Sequence, residues 1–168
     1  MKNDAFPSQT CSVARALEIV GEWWTLLIVR EAFFGARRFG EFERNLGIAK
    51  NVLSERLSKL VAYGLMERID VPGRGNPRDY RLTDRGRDLF PVLVALMQWG
   101  DRWIAGPERS PVRLLELETG EEIAPMRVVA ANGRLLSAND VRIAPGPGAD
   151  EAIQRRFGAP PVSGIPRT

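Results

Sequence analysis

A tight glycine turn between two amphipathic segments, followed by a hairpin signal, constrains the fold of this chain more than any other feature. The segment Phe39 to Leu46 carries apolar residues at helical spacing, and Gly47 breaks the chain after it. A longer segment then repeats the pattern through Leu53 and Leu57 until Gly64 ends it. Two helices joined by a short glycine turn form a helix-turn-helix pattern.

The residues after this pair predict a β-hairpin. From Leu65 the apolar residues change to a period of two, which favours a strand, and Tyr80 to Thr83 supplies a return strand. Pro72 to Arg78 lies between them and is rich in proline, glycine and arginine, so it favours a hairpin loop. A hairpin after the second helix of such a pair is a wing, and the sequence therefore predicts a winged helix-turn-helix.

Two further helices are predicted before this unit. The first begins at about Ser12 and carries one apolar stripe that we expect to be buried, formed by Val13, Ala16, Leu17 and Val20. The second runs from Trp23 to Phe34 and is apolar on nearly every side. Such a helix needs neighbours all round, so we expect it at the centre of a small core.

A long C-terminal helix is predicted from Thr83, as its cap, to about Ala105, with a kink or interruption at Pro91. Its apolar residues form a continuous stripe: Leu89, Val92, Leu93, Leu96, Trp99, Trp103 and Ile104. This stripe either packs on its own domain or pairs with its copy in a homodimer. It offers more apolar surface than a small core requires, so the homodimer is the favoured interpretation.

Beyond Pro111 the sequence predicts a small β-rich appendage. The β-prone pieces are Val112 to Leu117, Arg127 to Ala130 and Arg134 to Leu136, and Asn132-Gly133 is a hairpin signal. The predicted fold class is α+β, mainly helical. The predicted organisation is a flexible arm at 1–10, the winged helix-turn-helix domain at 11–106, the appendage at 112–145 and a tail at 146–168.

Composition argues against an enzyme. The chain has no histidine and a single cysteine, which excludes histidine-dependent catalysis, zinc clusters and an intrachain disulfide framework. The paired acidic residues Glu41 with Glu43 and Glu121 with Glu122 lie in polar segments typical of solvated surface. We therefore expect no catalytic residue, no metal and no cofactor. No apolar run reaches membrane-spanning length, so no membrane partner is expected and a cytoplasmic protein is predicted.

Positive charge is concentrated on the predicted winged helix-turn-helix. Between Arg37 and Arg87 there are 12 lysines and arginines against 7 acidic residues, although the whole chain has a net charge of only +3. Lys50, Arg74 and Arg78 are candidate phosphate contacts, with ordinary surface cations as the alternative, and Arg37 and Arg38 also belong to the DNA-binding set. This distribution favours double-stranded DNA as the partner.

The second helix of the pair would read DNA bases with the outward residues of its N-terminal part. These are Asn51, Ser54 and Glu55, each of which can instead contact the DNA backbone or water. Arg56 lies at the edge of the same helix and is assigned to the DNA-binding set. Its partner is either a phosphate or an intramolecular glutamate.

The chain resembles the HxlR family from about Cys11 to Asp101. The matching residues, in order, are Cys11, Gly21, Trp24-Thr25-Leu26-Leu27-Ile28-Val29-Arg30, Arg38-Phe39-Gly40-Glu41-Phe42, Gly47-Ile48, Leu53, Arg56-Leu57, Leu60, Gly64-Leu65, Arg68, Tyr80, Leu82-Thr83, Gly86, Pro91 and Trp99-Gly100. The resemblance implies a transcriptional regulator whose dimer, joined through its first and last helices, addresses a palindromic site. A repressor is the expected form.

Two departures from the family pattern matter. Ala49 stands where the family typically has a serine cap for the recognition helix, so the start of that helix is expected to shift unless another group caps it. The appendage resembles the zinc-ribbon tail of some relatives, but Thr119-Gly120 and the stretch Val129 to Gly133 lack every thiolate. A metal-free appendage is therefore expected.

Two candidate sensors remain open. Cys11 matches the position of a reactive thiol in some redox-sensing relatives, and the alternative is a small, half-buried hydrophobic residue. A small-molecule effector pocket could instead be formed by Trp23, Trp24, Phe34, Trp99 and Trp103, for which simple core packing is the alternative. The competing function for the whole chain is a winged-helix module that binds protein instead of DNA.

Overall fold

The computed structural model describes residues 11–71 and 78–158, which fall into two compact units. The larger unit is formed by residues 16–126 and the smaller by the described residues 11–15 and 127–158. The helices are α1 (Ser12–Val20), α2 (Trp23–Phe33), α3 (Phe39–Leu46), α4 (Lys50–Ala62), α5 (Asp84–Arg87), α6 (Phe90–Gly100) and α7 (Glu151–Phe157). The strands are β1 (Met66–Asp70), β2 (Arg78–Leu82), β3 (Val128–Val129) and β4 (Leu135–Leu136).

The core of the larger unit lies between α2, α3 and α4, with β2 and α6 packed against it. Its fully buried side chains are Ile28, Val29, Phe42, Leu53, Leu57, Leu60 and Met66. The apolar α2 is thus the central helix, as its composition predicts. This arrangement leaves the outer face of α4 free of core contacts.

A buried carboxylate links α2 to α3. Glu31 is almost fully buried, and its Oε1 accepts hydrogen bonds from the guanidinium of Arg30, the shorter being 2.7 Å. Its Oε2 accepts from Asn45 Nδ2 at 3.0 Å. A buried charge is tolerated when it is paired and hydrogen-bonded in this way, so the network fixes the position of α3 against the core.

The predicted wing is an antiparallel pair of strands, with Met66 opposite Leu82 and Asp70 opposite Arg78. The return strand begins at Arg78, two residues before the predicted start at Tyr80. The hairpin packs closely on α5, because a Cβ added at Gly86 would lie 2.0 Å from the carbonyl oxygen of Leu65. The predicted loop residues 72–77, including Arg74, lie outside the described residues.

The helical stretch predicted from Thr83 to about Ala105 is present, and it is interrupted just before Pro91, where a kink or interruption was expected. Thr83 caps a short helix as expected, since its Oγ1 accepts from the amide of Gly86 at 3.1 Å, but that helix, α5, ends at Arg87. The chain begins α6 only at Phe90, with Pro91 in the first turn. Proline has no amide hydrogen to donate to the carbonyl of Arg87, so an uninterrupted helix is disfavoured here. After α6, Asp101–Ala105 continues as a π-helical turn.

The apolar stripe of α1 is only partly buried, contrary to the sequence-based expectation. Val13 and Leu17 are exposed, whereas the buried residue of this helix is Ala14. The α6 stripe is divided in the same way: Leu93 is buried, while Leu96 and Trp99 are exposed. Helical periodicity predicted which residues form each apolar face. It did not predict whether other residues of the same chain bury that face.

The appendage contains less strand than predicted. Within residues 112–117 the structure has a single isolated bridge, between Leu115 and Glu122. In the smaller unit β3 and β4 form a hairpin through the predicted Asn132-Gly133 turn, with Gly133 at a φ of +81°. The tail contains α7, which was not predicted and is capped by Asp150, whose side chain accepts from the amide of Ile153.

Across the described residues, no helix has both the length and the apolar character needed to span a membrane.

Candidate nucleic-acid interface

The turn between α3 and α4 sets the direction of the candidate recognition helix. Gly47 ends α3 in the left-handed conformation at a φ of +61°, a region that glycine occupies without strain, and its amide donates to the carbonyl of Glu43 at 2.9 Å. Buried Ile48 follows, and Ala49 is extended before α4 begins at Lys50. The start of α4 is therefore not displaced by the missing serine cap.

The outer face of α4 carries the residues predicted to read bases. Asn51, Ser54 and Glu55 are all exposed, on the side opposite the buried Leu53 and Leu57. The side chain of Asn51 forms no hydrogen bond with another residue in the part of the chain that the structure describes. Asn51 thus presents both its amide donor and its carbonyl acceptor to the outside.

The two charged residues on this face already have ionic neighbours. Glu55 accepts from Lys59 Nζ at 2.8 Å, and this hydrogen bond, with the positive charges of Lys59 and Arg56, lowers the pKa of Glu55. Lys50 Nζ lies 3.8 Å from Glu43 Oε1, at the N-terminal end of α4, and is well exposed. Contacts this exposed are weak, so both Glu55 and Lys50 can exchange them for DNA groups.

Arg56 has an intramolecular partner, which was one of its two expected partners. Its Nη2 lies 3.1 Å from Glu22 Oε2, and its side chain is only 14% exposed. The ion pair joins the middle of α4 to the residue that precedes α2. Sequence analysis did not identify Glu22, because it lies 34 positions before Arg56 and no local signal connects them.

The predicted DNA-binding arginines other than Arg56 occupy two places. Arg37 and Arg38 precede α3, and their amides donate to Glu41 Oε2 at 2.8 and 2.9 Å, which lowers the pKa of Glu41. The side chain of Arg38 extends toward Asp79 of the wing, with Nε 3.7 Å from Oδ1. Arg78 is at the wing itself, half exposed, with its Nε 3.6 Å from Asp70 Oδ1.

Replacing Ala49 by serine should stabilise the protein. Ala49 is the N-cap of α4, it is exposed, and its side chain satisfies none of the free amides of the first turn. A serine hydroxyl there should add about 1 kcal/mol to the free energy of unfolding, measured by urea denaturation. The matched control is Ala62→Ser at the other end of α4, which should lower stability slightly. An Ala49→Ser protein no more stable than wild type would contradict the prediction.

Cys11 is exposed and precedes the first turn of α1. Backbone hydrogen bonds from the amides of Ala14 and Val13 lower the pKa of its thiol. A thiolate is favoured at a helix N-terminus because the free amides there carry partial positive charge. Cys11 is not half-buried in the single chain, and a sensing role remains a prediction.

Four of the five aromatic residues of the predicted effector pocket are largely at the surface in the single chain, and a pocket between them stays a prediction. Trp23 is 91% exposed and Trp103 is 67% exposed, and Phe34 and Trp99 are also largely at the surface. Only Trp24 packs against the core. A cavity of about 240 Å³ lies elsewhere in the larger unit, and none of the five residues lines it.

Comparisons with known proteins agree with this geometry. Residues 19–108 match the family described as HxlR-like helix-turn-helix. Rv3095 of Mycobacterium tuberculosis, named an HTH-type transcriptional regulator, is 50% identical over 137 residues, which cover 82% of this chain and 87% of Rv3095.

Solved structures show the same relationship. PA1607, described as a candidate transcription factor, has 45% sequence identity and a TM-score of 0.76, covering 82% of this chain and 96% of its own. The reduced form of the redox regulator HypR has 28% identity and a TM-score of 0.51, covering 54% of this chain and 91% of HypR. The family match covers more than half of the chain, and the helix-turn-helix it describes is the α3–α4 pair. The chain therefore belongs to the HxlR-like helix-turn-helix family of transcriptional regulators.

Proposed function

We propose that the protein is a repressor that binds a palindromic operator in double-stranded DNA as a homodimer, in the cytoplasm. The observation that carries the proposal is the outer face of α4, where Asn51, Ser54 and Glu55 are exposed on a helix held rigidly by its buried side. A helix of this kind fits the major groove, and Asn can bind adenine through two hydrogen bonds. A dimer lying across successive grooves would exclude other proteins from that DNA.

The exposed apolar faces support the homodimer. On α6 and the turn after it, Val92, Leu96, Trp99, Trp103 and Ile104 are each between 46% and 76% exposed in the single chain. A continuous apolar surface of this kind is unusual in a monomer and typical of an interface. The same surface on a second copy is its natural partner, because a two-fold axis brings identical patches together.

The ion pair between Arg56 and Glu22 supports a positioning role for Arg56 instead of a DNA contact. Its guanidinium is largely buried against the start of α2, so it does not share the open face with Asn51. We assign Arg37, Arg38, Lys50, Arg74 and Arg78 to phosphates and leave Arg56 to hold α4 in place.

Replacing Asn51 by alanine should weaken operator binding by about 1–3 kcal/mol and relax the preference for one base pair. An operator is first selected from random DNA, and affinity is then measured by fluorescence anisotropy. Asn51 is exposed and forms no hydrogen bond with the described residues, so its loss should not change stability. The control is the double variant Arg74→Ala, Arg78→Ala. It should weaken binding to all DNA sequences alike and make the affinity less dependent on salt concentration.

The selection also tests the alternative function. Enrichment of a two-fold symmetric sequence supports the repressor. If no sequence is enriched, and binding is weak and independent of the wing arginines, the protein is not a sequence-specific regulator. The competing interpretation, a winged-helix module that binds protein, would then replace it.

We also propose that Cys11 responds to thiol-reactive compounds, a role that HypR, named a redox regulator, makes reasonable for this fold. Because the pKa of Cys11 is lowered, alkylation by iodoacetamide should reach half its maximal rate at a lower pH in the folded protein than in urea. Mass spectrometry measures the rate, and Cys11→Ser is the blank. Equal pH profiles in the two states would show that the helix does not activate the thiol.

A further inference from the structure

A cavity of about 240 Å³ lies between the C-terminal part of α2 and the second wing strand, away from the predicted aromatic pocket. Its apolar lining consists of Ala32, Phe33, Ala36 and Leu82, with Tyr80 beside them. Three arginines, Arg37, Arg81 and Arg87, complete the lining, and it contains no carboxylate. This cavity is partly open to solvent, and its volume exceeds the roughly 150 Å³ of an enclosed cavity that holds a benzene ring.

The three arginines differ in how far their charge is already neutralised. Arg87 is anchored, because Nη1 donates to the carbonyl of Leu82 at 2.7 Å and Nη2 contacts Asp84 at 2.5 Å. Arg81 Nη2 is 3.9 Å from Asp79, at the limit of an ion pair. The side chain of Arg37 forms no ion pair with any residue in the described ranges.

The backbone around Arg37 is nevertheless fixed. Its amide donates to Glu41 at 2.8 Å, and its carbonyl accepts from the amide of Tyr80 at 2.7 Å. The second of these bonds ties the segment before α3 to strand β2. The backbone of Arg37 is thereby held beside Tyr80, while its exposed side chain is available to pair with an anion.

We propose that this cavity binds a small aromatic carboxylate, with its ring against the apolar lining and its carboxylate on Arg37 and Arg81. A guanidinium matches a carboxylate through two parallel hydrogen bonds, and Phe33 and Tyr80 supply ring surfaces. Inorganic phosphate, or a phosphate of DNA, shares the negative charge but has no apolar part to fill the cavity. The combined lining therefore favours an organic anion.

The consequence for regulation rests on the proposed function. Arg37 is one of the arginines assigned to DNA phosphates, so a bound carboxylate would compete with the operator for the same guanidinium. The ring of Phe33 also packs at a tilt against the ring of Phe90 of α6, with centroids 5.2 Å apart, which connects the cavity to the helix of the proposed dimer face. Ligand binding should accordingly lower operator affinity.

The test uses 4-fluorobenzoate as the probe and fluorine NMR of the full chain without DNA. We expect saturable binding with a dissociation constant on the order of 1 mM, the range for a single-ring ligand. Arg37→Gln should weaken binding about tenfold, because it removes a charged hydrogen-bond donor. The matched control is Arg68→Gln, an exposed arginine of β1 outside the cavity, which should leave binding unchanged.

Two further compounds distinguish the contribution of the ring from that of the carboxylate. Fluorobenzene, which lacks the carboxylate, should bind far more weakly than 4-fluorobenzoate, and inorganic phosphate should not displace the probe. The proposed site is overturned if 4-fluorobenzoate shows no saturable binding or if phosphate at equal concentration displaces it. It is also overturned if Arg37→Gln and Arg68→Gln weaken probe binding equally. Because no DNA is present, these outcomes do not depend on the operator. Binding of the probe with unchanged operator affinity would retain the site and reject its regulatory role.

Discussion

Replacing Phe42 by alanine should remove most of the stability of the winged helix-turn-helix. Phe42 is fully buried at the centre of α3, among the core residues of α2 and α4. Truncating a buried phenylalanine costs about 3–5 kcal/mol, a large part of the 5–15 kcal/mol that stabilises a typical domain. Urea denaturation followed by circular dichroism should show a much lower urea concentration at the midpoint of unfolding. Binding to the operator should also weaken, because α3 packs against α4.

Two variants calibrate this result. Phe42→Leu leaves a smaller void and should lower the free energy of unfolding by only about 1–2 kcal/mol. Phe34→Ala removes the same ring from the largely exposed residue after α2 and should change stability by less than about 1 kcal/mol. If Phe42→Ala were no more damaging than Phe34→Ala, α3 would not be part of the core as described.

The helix-turn-helix could be predicted from the sequence because local signals decide it. The residues of α3 follow a helical period, and Gly47 adopts the left-handed conformation that ends the helix. The predicted bounds, Phe39 to Leu46, are those observed. The buried face of α4 was predicted for the same reason, since Leu53 and Leu57 follow one stripe.

The C-terminal helical stretch was predicted with a kink or interruption at Pro91, but not the bounds of its separate helices, because two local signals compete there. A continuous apolar period favours one helix, whereas Pro91 removes a backbone donor and favours a break. The break prevailed, and it placed Phe90 at the start of a new helix against Phe33. Periodicity alone gives no weight to the missing hydrogen bond.

The site itself depends on contacts between residues distant in sequence. Arg56 pairs with Glu22, and the carbonyl of Arg37 accepts a hydrogen bond from the amide of Tyr80, although nothing in the local sequence indicates either contact. The candidate DNA contacts could be named by charge and position on a helix. Their division into free groups and structural ion pairs required the tertiary structure.

Replacing Leu96 by arginine should convert the proposed homodimer into a monomer. Leu96 is 48% exposed in the single chain, at the centre of the apolar face of α6, so the charge is tolerated in a monomer. In a two-fold interface the substitution occurs twice, and burying two unpaired guanidinium groups should raise the dimer dissociation constant at least about 100-fold. Sedimentation velocity measures this change, and circular dichroism should show an unchanged fold.

Ala62→Arg, which places the same side chain at an exposed position on α4, is the control and should remain dimeric. In Leu96→Arg the affinity for the operator should fall as the dimer is lost, because one monomer presents only one α4 to a palindromic site that needs two. The two measurements distinguish separate failures. A Leu96→Arg protein that stays dimeric would show that the exposed face of α6 is not the interface. One that becomes monomeric but keeps full affinity would show that a single α4 suffices to read the operator.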